Sequence, residues 1–290
     1  MYEKLITMYI PHSINDVNGV EKKSLIPDAI KFITALYPGI NGIVMAPGYM
    51  SVAKTKDFVD NLMKLGFERE MLITLLNGMN GTWKVRGEDD TYREKHEQAV
   101  SAYNHVSREK GVGTIRLIPD LPNVGLLKGK KDHRKMMILL ENPFGWPEIT
   151  GQQMLDEKRL IDEVNKIKVR AVLIGSSNQS YQTYFSPNPE KGEADVMMFV
   201  QEYGQQGKIQ GIDDLKALWV GMVNNNRMND QYGNERLEED MEEDFGRLLQ
   251  QVVISESISI GDNCGKSPYD FLEKILIEVV KSGIELLPTT

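Results

Sequence analysis

Two short stretches carry the residue types that phosphate chemistry requires. His133 and Lys135 flank Arg134 and lead into the apolar run Met136, Met137, Ile138, Leu139, Leu140. Along a strand, positions two apart face the same side, so the imidazole and the ammonium would project together while Arg134 points away. An imidazole beside a fixed cation suits attack on a phosphodiester, whose oxygens carry charge that must be neutralised. About forty residues later, the apolar run Val172, Leu173, Ile174 ends in Gly175, Ser176, Ser177 and Asn178. Such a turn offers backbone N–H groups, a hydroxyl and an amide donor at a strand end. Each stretch alone is ordinary, since Gly, Ser and Asn favour turns; the reading rests on the two together.

The elements that must position these groups follow from periodicity. The chain has 290 residues, 41% of them hydrophobic, enough for one large α/β domain with or without an appendage. Amphipathic spacing predicts helices over 27–36, 56–65, 91–108 and 152–167, and apolar runs predict strands over 42–46, 71–76, 115–118, 135–140, 170–174 and 194–200. Residues 1–23 show no clear pattern. Strands alternating with helices imply a mainly parallel sheet with helices on both faces and a ligand at the strand ends. A change of composition after Gly204 suggests a boundary near 205, giving a catalytic domain over 1–205, with an insertion at about 143–168, and a region over 206–290. Helices expected over 213–222, 236–254 and 268–283 make that region a mostly helical extension.

Charge and composition narrow the partners. The net charge of −8 disfavours a nucleic-acid partner at first sight, because phosphate contacts require Lys and Arg. The charge is uneven, however: residues 235–244 hold seven acids and one arginine, while Lys128, Lys130, Lys131, Arg134 and Lys135 crowd the first motif. Locally, a phosphate-bearing ligand is favoured. The single Cys264 excludes an intrachain disulfide and a Cys-rich zinc site. No long apolar run and no signal-peptide pattern is present, so a cytoplasmic location and no membrane partner are expected.

A His-x-Lys strand followed by a strand ending in Gly-Ser-x-Asn resembles the phospholipase D superfamily. The segments Gly48-Tyr49-Met50-Ser51 and Gly78-Met79-Asn80-Gly81, each after a strand, and His96 on the long helix resemble the nuclease branch that includes type II restriction endonucleases with a phospholipase D-like domain. The similarity covers about residues 25–200 and leaves 205–290 unmatched. Its spacer is longer than the family's, which the helix over 152–167 accounts for if strands 135–140 and 170–174 are neighbours. The resemblance implies a phospholipase D-like fold and a metal-independent phosphodiesterase acting on DNA, with no cofactor. It assigns His133 as nucleophile forming a phosphohistidine, and Lys135, Asn178 and Ser176 as holders of the non-bridging oxygens. Glu193 becomes the carboxylate that orients the histidine, and Lys131, Arg134, Tyr49 and Ser51 become substrate contacts. The family needs a second histidine as acid, and only His133 lies in the motif, so a homodimer pairing two copies of His133 is expected.

The remaining candidates read as structure. His105 fits an exposed helix position, and His96 on the same polar helix is read as structural with lining of the site as the alternative. Asp89, Asp90 and Glu94 read as solvated loop acids and not as a metal site. Two other functions fit the same motifs: a phospholipid phosphodiesterase or phosphatidyltransferase, and a nucleic-acid-binding protein without useful turnover.

Overall fold

The structure, a computed structural model, describes residues 3–11, 14–15, 22–48, 54–67, 71–76, 87–110, 114–118, 133–141, 156–186, 193–202, 253–258 and 268–281. In chain order these form β1 (Glu3–Pro11), β2 (Ile14–Asn15), β3 (Lys22–Lys23), α1 (Ile26–Leu36), β4 (Gly42–Pro47), α2 (Thr55–Met63), β5 (Leu72–Leu76) and α3 (Tyr92–Lys110). There follow β6 (Thr114–Ile118), β7 (Lys135–Glu141), α4 (Glu157–Val164), β8 (Lys168–Gly175), α5 (Tyr181–Tyr184), β9 (Ala194–Glu202), β10 (Val253–Ile258) and α6 (Pro268–Lys281). None of the described helices is long and apolar enough to cross a membrane.

One eight-stranded sheet, in the order β10-β1-β9-β8-β7-β4-β5-β6, organises the molecule. Only β4 with β5 and β5 with β6 run parallel; every other neighbouring pair is antiparallel. The expectation of a mainly parallel sheet is therefore wrong. Its error lies in the middle of the sheet, where β7 pairs antiparallel with both β4 and β8. Apolar runs report burial on both faces and carry no information on strand direction. The condition placed on the long spacer does hold: β7 and β8 are neighbours, with Met136 opposite Ile174.

Helices cover both faces, as expected. On one face α1, α2 and α3 pack through Ile30, Phe32, Phe58, Leu62 and Tyr103 onto Met8, Met137, Leu173 and Phe199. Phe32 meets Phe199 edge-on at 5.8 Å. On the other face Leu160 and Val164 of α4 and Leu272 and Leu276 of α6 pack onto Val44, Ile138 and Val172. Capping chemistry sets several boundaries. Asp156 accepts the backbone N–H of Arg159 at 2.8 Å and starts α4 later than the apolar spacing suggested. Before α3, Thr91 and Glu94 form a capping box, Thr91 N–H donating to Glu94 Oε2 at 2.6 Å and Glu94 N–H to Thr91 Oγ1 at 3.3 Å.

Two segments of the C-terminal part join this sheet. β10 pairs with β1, with Tyr9 opposite Val253, and α6 lies over β8, β1 and β9. The helix expected over 236–254 therefore cannot include Val253 and Ile254, which are strand; the rest of it, and the helix expected over 213–222, lie outside the described residues.

Candidate active site

Strand direction decides where the two motifs meet. β7 starts at Lys135, whereas β8 ends at Gly175. Antiparallel pairing puts that start and that end at the same edge of the sheet; parallel pairing would have left them a strand length apart, roughly 20 Å for six or seven residues. β4 ends at the same edge, with Pro47 opposite Lys135, and β9 begins there, with Asp195 opposite Gly175. The ends of four adjacent strands thus gather the polar residues on one side of the molecule.

His133 is exposed, three residues before Met136 enters the core. Lys135 Nζ lies 2.9 Å from His133 Nε2 and 3.2 Å from the His133 carbonyl oxygen. An ammonium has only protons to give, so a hydrogen bond across this contact requires Nε2 as its acceptor. The shared facing expected of an i, i+2 pair is what the two side chains display. Arg134, between them, is half-buried.

Asn178 comes to the same place from β8. Gly48 follows β4 with φ +66°, a left-handed conformation, and a Cβ there would stand 2.8 Å from Lys135 Cγ and 2.9 Å from Asn178 Oδ1. The absent side chain is what lets Lys135 and Asn178 close over the end of β4. Gln179 then stitches the loop down with three of its groups. Its backbone N–H donates to Pro47 O at 3.1 Å, its Nε2 donates to Ser177 O at 3.1 Å, and its Oε1 accepts from Tyr184 OH. Ser176 faces β9, its hydroxyl donating to Ala194 O at 3.3 Å and accepting the Ala194 N–H at 3.3 Å. That hydroxyl thus splices the turn onto β9.

Beneath the loop lies a carboxyl that sequence reasoning passed over. Asp195 is fully buried, and a Cβ on Gly175 would fall 2.0 Å from its Oδ1. Burial raises its pKa, the Ser177 hydroxyl and backbone N–H lower it, and the nearby Glu193 charge raises it again. Neither oxygen makes a hydrogen bond of good geometry among the described residues, and the Ser177 hydroxyl and Asn178 Oδ1 are buried in the same condition. Ser177 therefore acts on Asp195 as a close dipole and not as a well-formed bond. Burial also pushes the Tyr184 phenol well above its ordinary pKa, reinforced by the Asp195 charge against the hydrogen bond to Gln179. The signal for Asp195 was available: a lone acid inside the apolar run Ala194 to Val200.

Not every expected residue is brought in. Glu193 stands half-buried just before β9. Tyr49, Ser51 and Lys131 lie outside the described residues. His96 is buried on α3, which packs on α2 and on the edge strand β6, three places from β7, whereas His105 is exposed on the same helix. The acids near α3 have local partners: Lys95 pairs with Glu88 at 2.6 Å and Asp90 at 3.0 Å, and Glu94 caps the helix.

No family model and no curated protein matches the chain. Among solved structures it is similar to polyphosphate kinase from Porphyromonas gingivalis, at 12% identity and TM-score 0.29, over 68% of this chain and 23% of that one. It is also similar to yeast tyrosyl-DNA phosphodiesterase, at 11% identity and TM-score 0.27, over 84% of this chain and 41% of that one. The chain thus spans less than half the length of either. Likenesses this slight assign neither fold family nor activity, and the functional reading rests on the site.

Proposed function

We propose that this protein is a phosphodiesterase that cleaves DNA through a phosphohistidine intermediate. The observation that carries the reading is the convergence of His133, Lys135 and Asn178 at one sheet edge, with Lys135 Nζ 2.9 Å from His133 Nε2. In this reading the non-bridging oxygens of a bound phosphodiester take the Lys135 ammonium away from the imidazole and free the Nε2 lone pair. Nε2 then attacks phosphorus, the bond to the leaving oxygen breaks, and an acid protonates that oxygen. Water attacks the phosphohistidine in the second step and restores the imidazole. Lys135 and the Asn178 amide neutralise the charge that builds on the equatorial oxygens.

The resemblance assigns Glu193, half-buried just before β9, as the carboxylate that orients the imidazole. Asp195, below it, is a positioning residue that holds Ser177 and through it the Asn178 loop. The resemblance adds Arg134, Lys131, Tyr49 and Ser51 as substrate contacts, of which Arg134 alone falls among the described residues. The resemblance to the phospholipase D nuclease branch supports DNA as substrate, a second His133 from a partner copy as the acid, and catalysis without a metal. Plasmid cleavage in excess EDTA, with wild type and His133→Ala side by side, tests the reading. Cleavage by wild type alone is expected. Equal cleavage by both, or cleavage only with magnesium, would overturn it.

A further inference from the structure

The loop that carries Asn178 runs directly into α5, where Tyr181 and Phe185 pack against the core but stay only partly buried. Tyr184 anchors the helix: it is 3% exposed and meets Phe58 of α2 edge-on at 5.4 Å. Tyr181 and Phe185, with ring centroids 6.0 Å apart, stay half-buried. From the start of α2, the Lys54 ammonium stands 5.2 Å from the centroid of the Tyr181 ring. Its side chain is 55% exposed and is steadied by Asp57 at 2.9 Å. Exposed Gln182 and half-buried Ser186 border the rings, joined by a 3.1 Å hydrogen bond.

Tyr181 lies three residues after Asn178, so their Cα atoms are within about 11 Å of each other. The Tyr181 ring, with the Lys54 ammonium beside it, thus belongs to the helix that directly follows the loop carrying Asn178. Their chemistry is specific in kind. Every base offers a π-face to an aromatic ring, and the ammonium suits the neighbouring phosphate. A lipid chain would want continuous apolar surface, whereas this patch is broken by a phenol, an amide and a charge pair.

We propose that Tyr181, Phe185 and Lys54 form a stacking subsite for the nucleobase adjoining the scissile phosphodiester. The inference rests on the phosphodiesterase reading and sharpens it. A base can stack on a protein ring only after leaving its own stack, so the preferred substrate is a single strand, held with little regard to base identity. Stacking of this kind strengthens binding by about 5- to 150-fold per base.

Binding tests the subsite without needing turnover. Fluorescence anisotropy on the full chain compares labelled oligothymidylate with an abasic oligomer of the same length and charge, for wild type, Tyr181→Leu and Tyr181→Phe. Wild type should bind oligothymidylate about ten-fold more tightly or better. Tyr181→Leu should lose that difference while keeping its affinity for the abasic oligomer and its melting temperature, and Tyr181→Phe should retain it. Equal affinity of wild type for both oligomers, or an undiminished difference in Tyr181→Leu, would overturn the proposal. If the base-dependent difference holds but wild type cleaves neither oligomer, the phosphodiesterase reading fails while the subsite stands.

Discussion

At the scale of single residues, the site depends on one missing side chain and one misplaced-looking carboxyl. Gly48→Ala puts a Cβ 2.8 Å from Lys135 Cγ at a left-handed position, so both the backbone and the lysine must shift. The strain costs about 1–2 kcal/mol, and a displacement near 1 Å at a catalytic group costs on the order of a hundred-fold in rate. Urea melts should therefore show a modest loss where kcat shows a large one. Asp195 gives the opposite pairing. Its folded pKa is raised by burial, so between the unfolded carboxylate range and that raised value the folded state holds the extra proton. Stability then falls as pH rises through the window, and the penalty is fully present above it. In Asp195→Asn the penalty is gone, so the melting temperature of the variant relative to wild type should climb as pH rises above the ordinary carboxylate range, while turnover drops as the Ser177 loop loosens. A relative melting temperature that is flat with pH would mean that Asp195 is not held against its charge.

At the scale of elements, much was legible, and what was missed has physical causes. The strands over 135–140 and 170–174 stood out because unbroken apolar runs mean burial on both faces, and β7 and β8 are buried so. Their relative direction was not legible, because it is set by the chain between them, which includes α4 and returns to the end of the sheet where β7 finishes. β1 went unread although Leu5, Ile6, Met8 and Ile10 are all buried, since polar Thr7 and exposed Tyr9 interrupt the run. β10 is an edge strand with Ser255, Glu256 and Ser257 at its centre, and its first two residues, Val253 and Ile254, continued the apolar spacing of the helix expected over 236–254. The facing of His133 and Lys135, the proposed catalytic pair, was legible because i, i+2 facing is a local rule. Asp195, Gln179 and Gly48 owe their roles to neighbours across strands, which no local rule supplies. The same holds for Arg170, whose guanidinium donates to Tyr269 OH at 2.7 Å and Glu141 Oε2 at 2.8 Å and so ties α6 and β7 to β8.

At the scale of the whole molecule, the proposed reaction needs both a nucleophile and an acid, and the chain has one motif histidine. Among the described residues, the other histidines are His96, buried on a helix beside the far edge of the sheet, and His105, exposed on that same helix. Neither stands where β7 and β8 meet, and His12 lies outside the described residues; the family resemblance supplies the acid as His133 of a second copy. The surface near the site is compatible with self-association. Ile174, Val196 and Tyr9 form a row across three neighbouring strands at the same edge, and Ile174 and Tyr9 are 36% and 45% exposed. A row of this kind on strand ends favours burial against another chain. Sedimentation should show a dimer at micromolar concentration. Mixing tests the shared site more sharply. If wild type and His133→Ala exchange subunits at random in equal amounts, only wild-type pairs keep two histidines, and activity per total protein falls to about a quarter of that of wild type alone. Independent sites would instead leave about half, and that result would require the acid to come from within one chain.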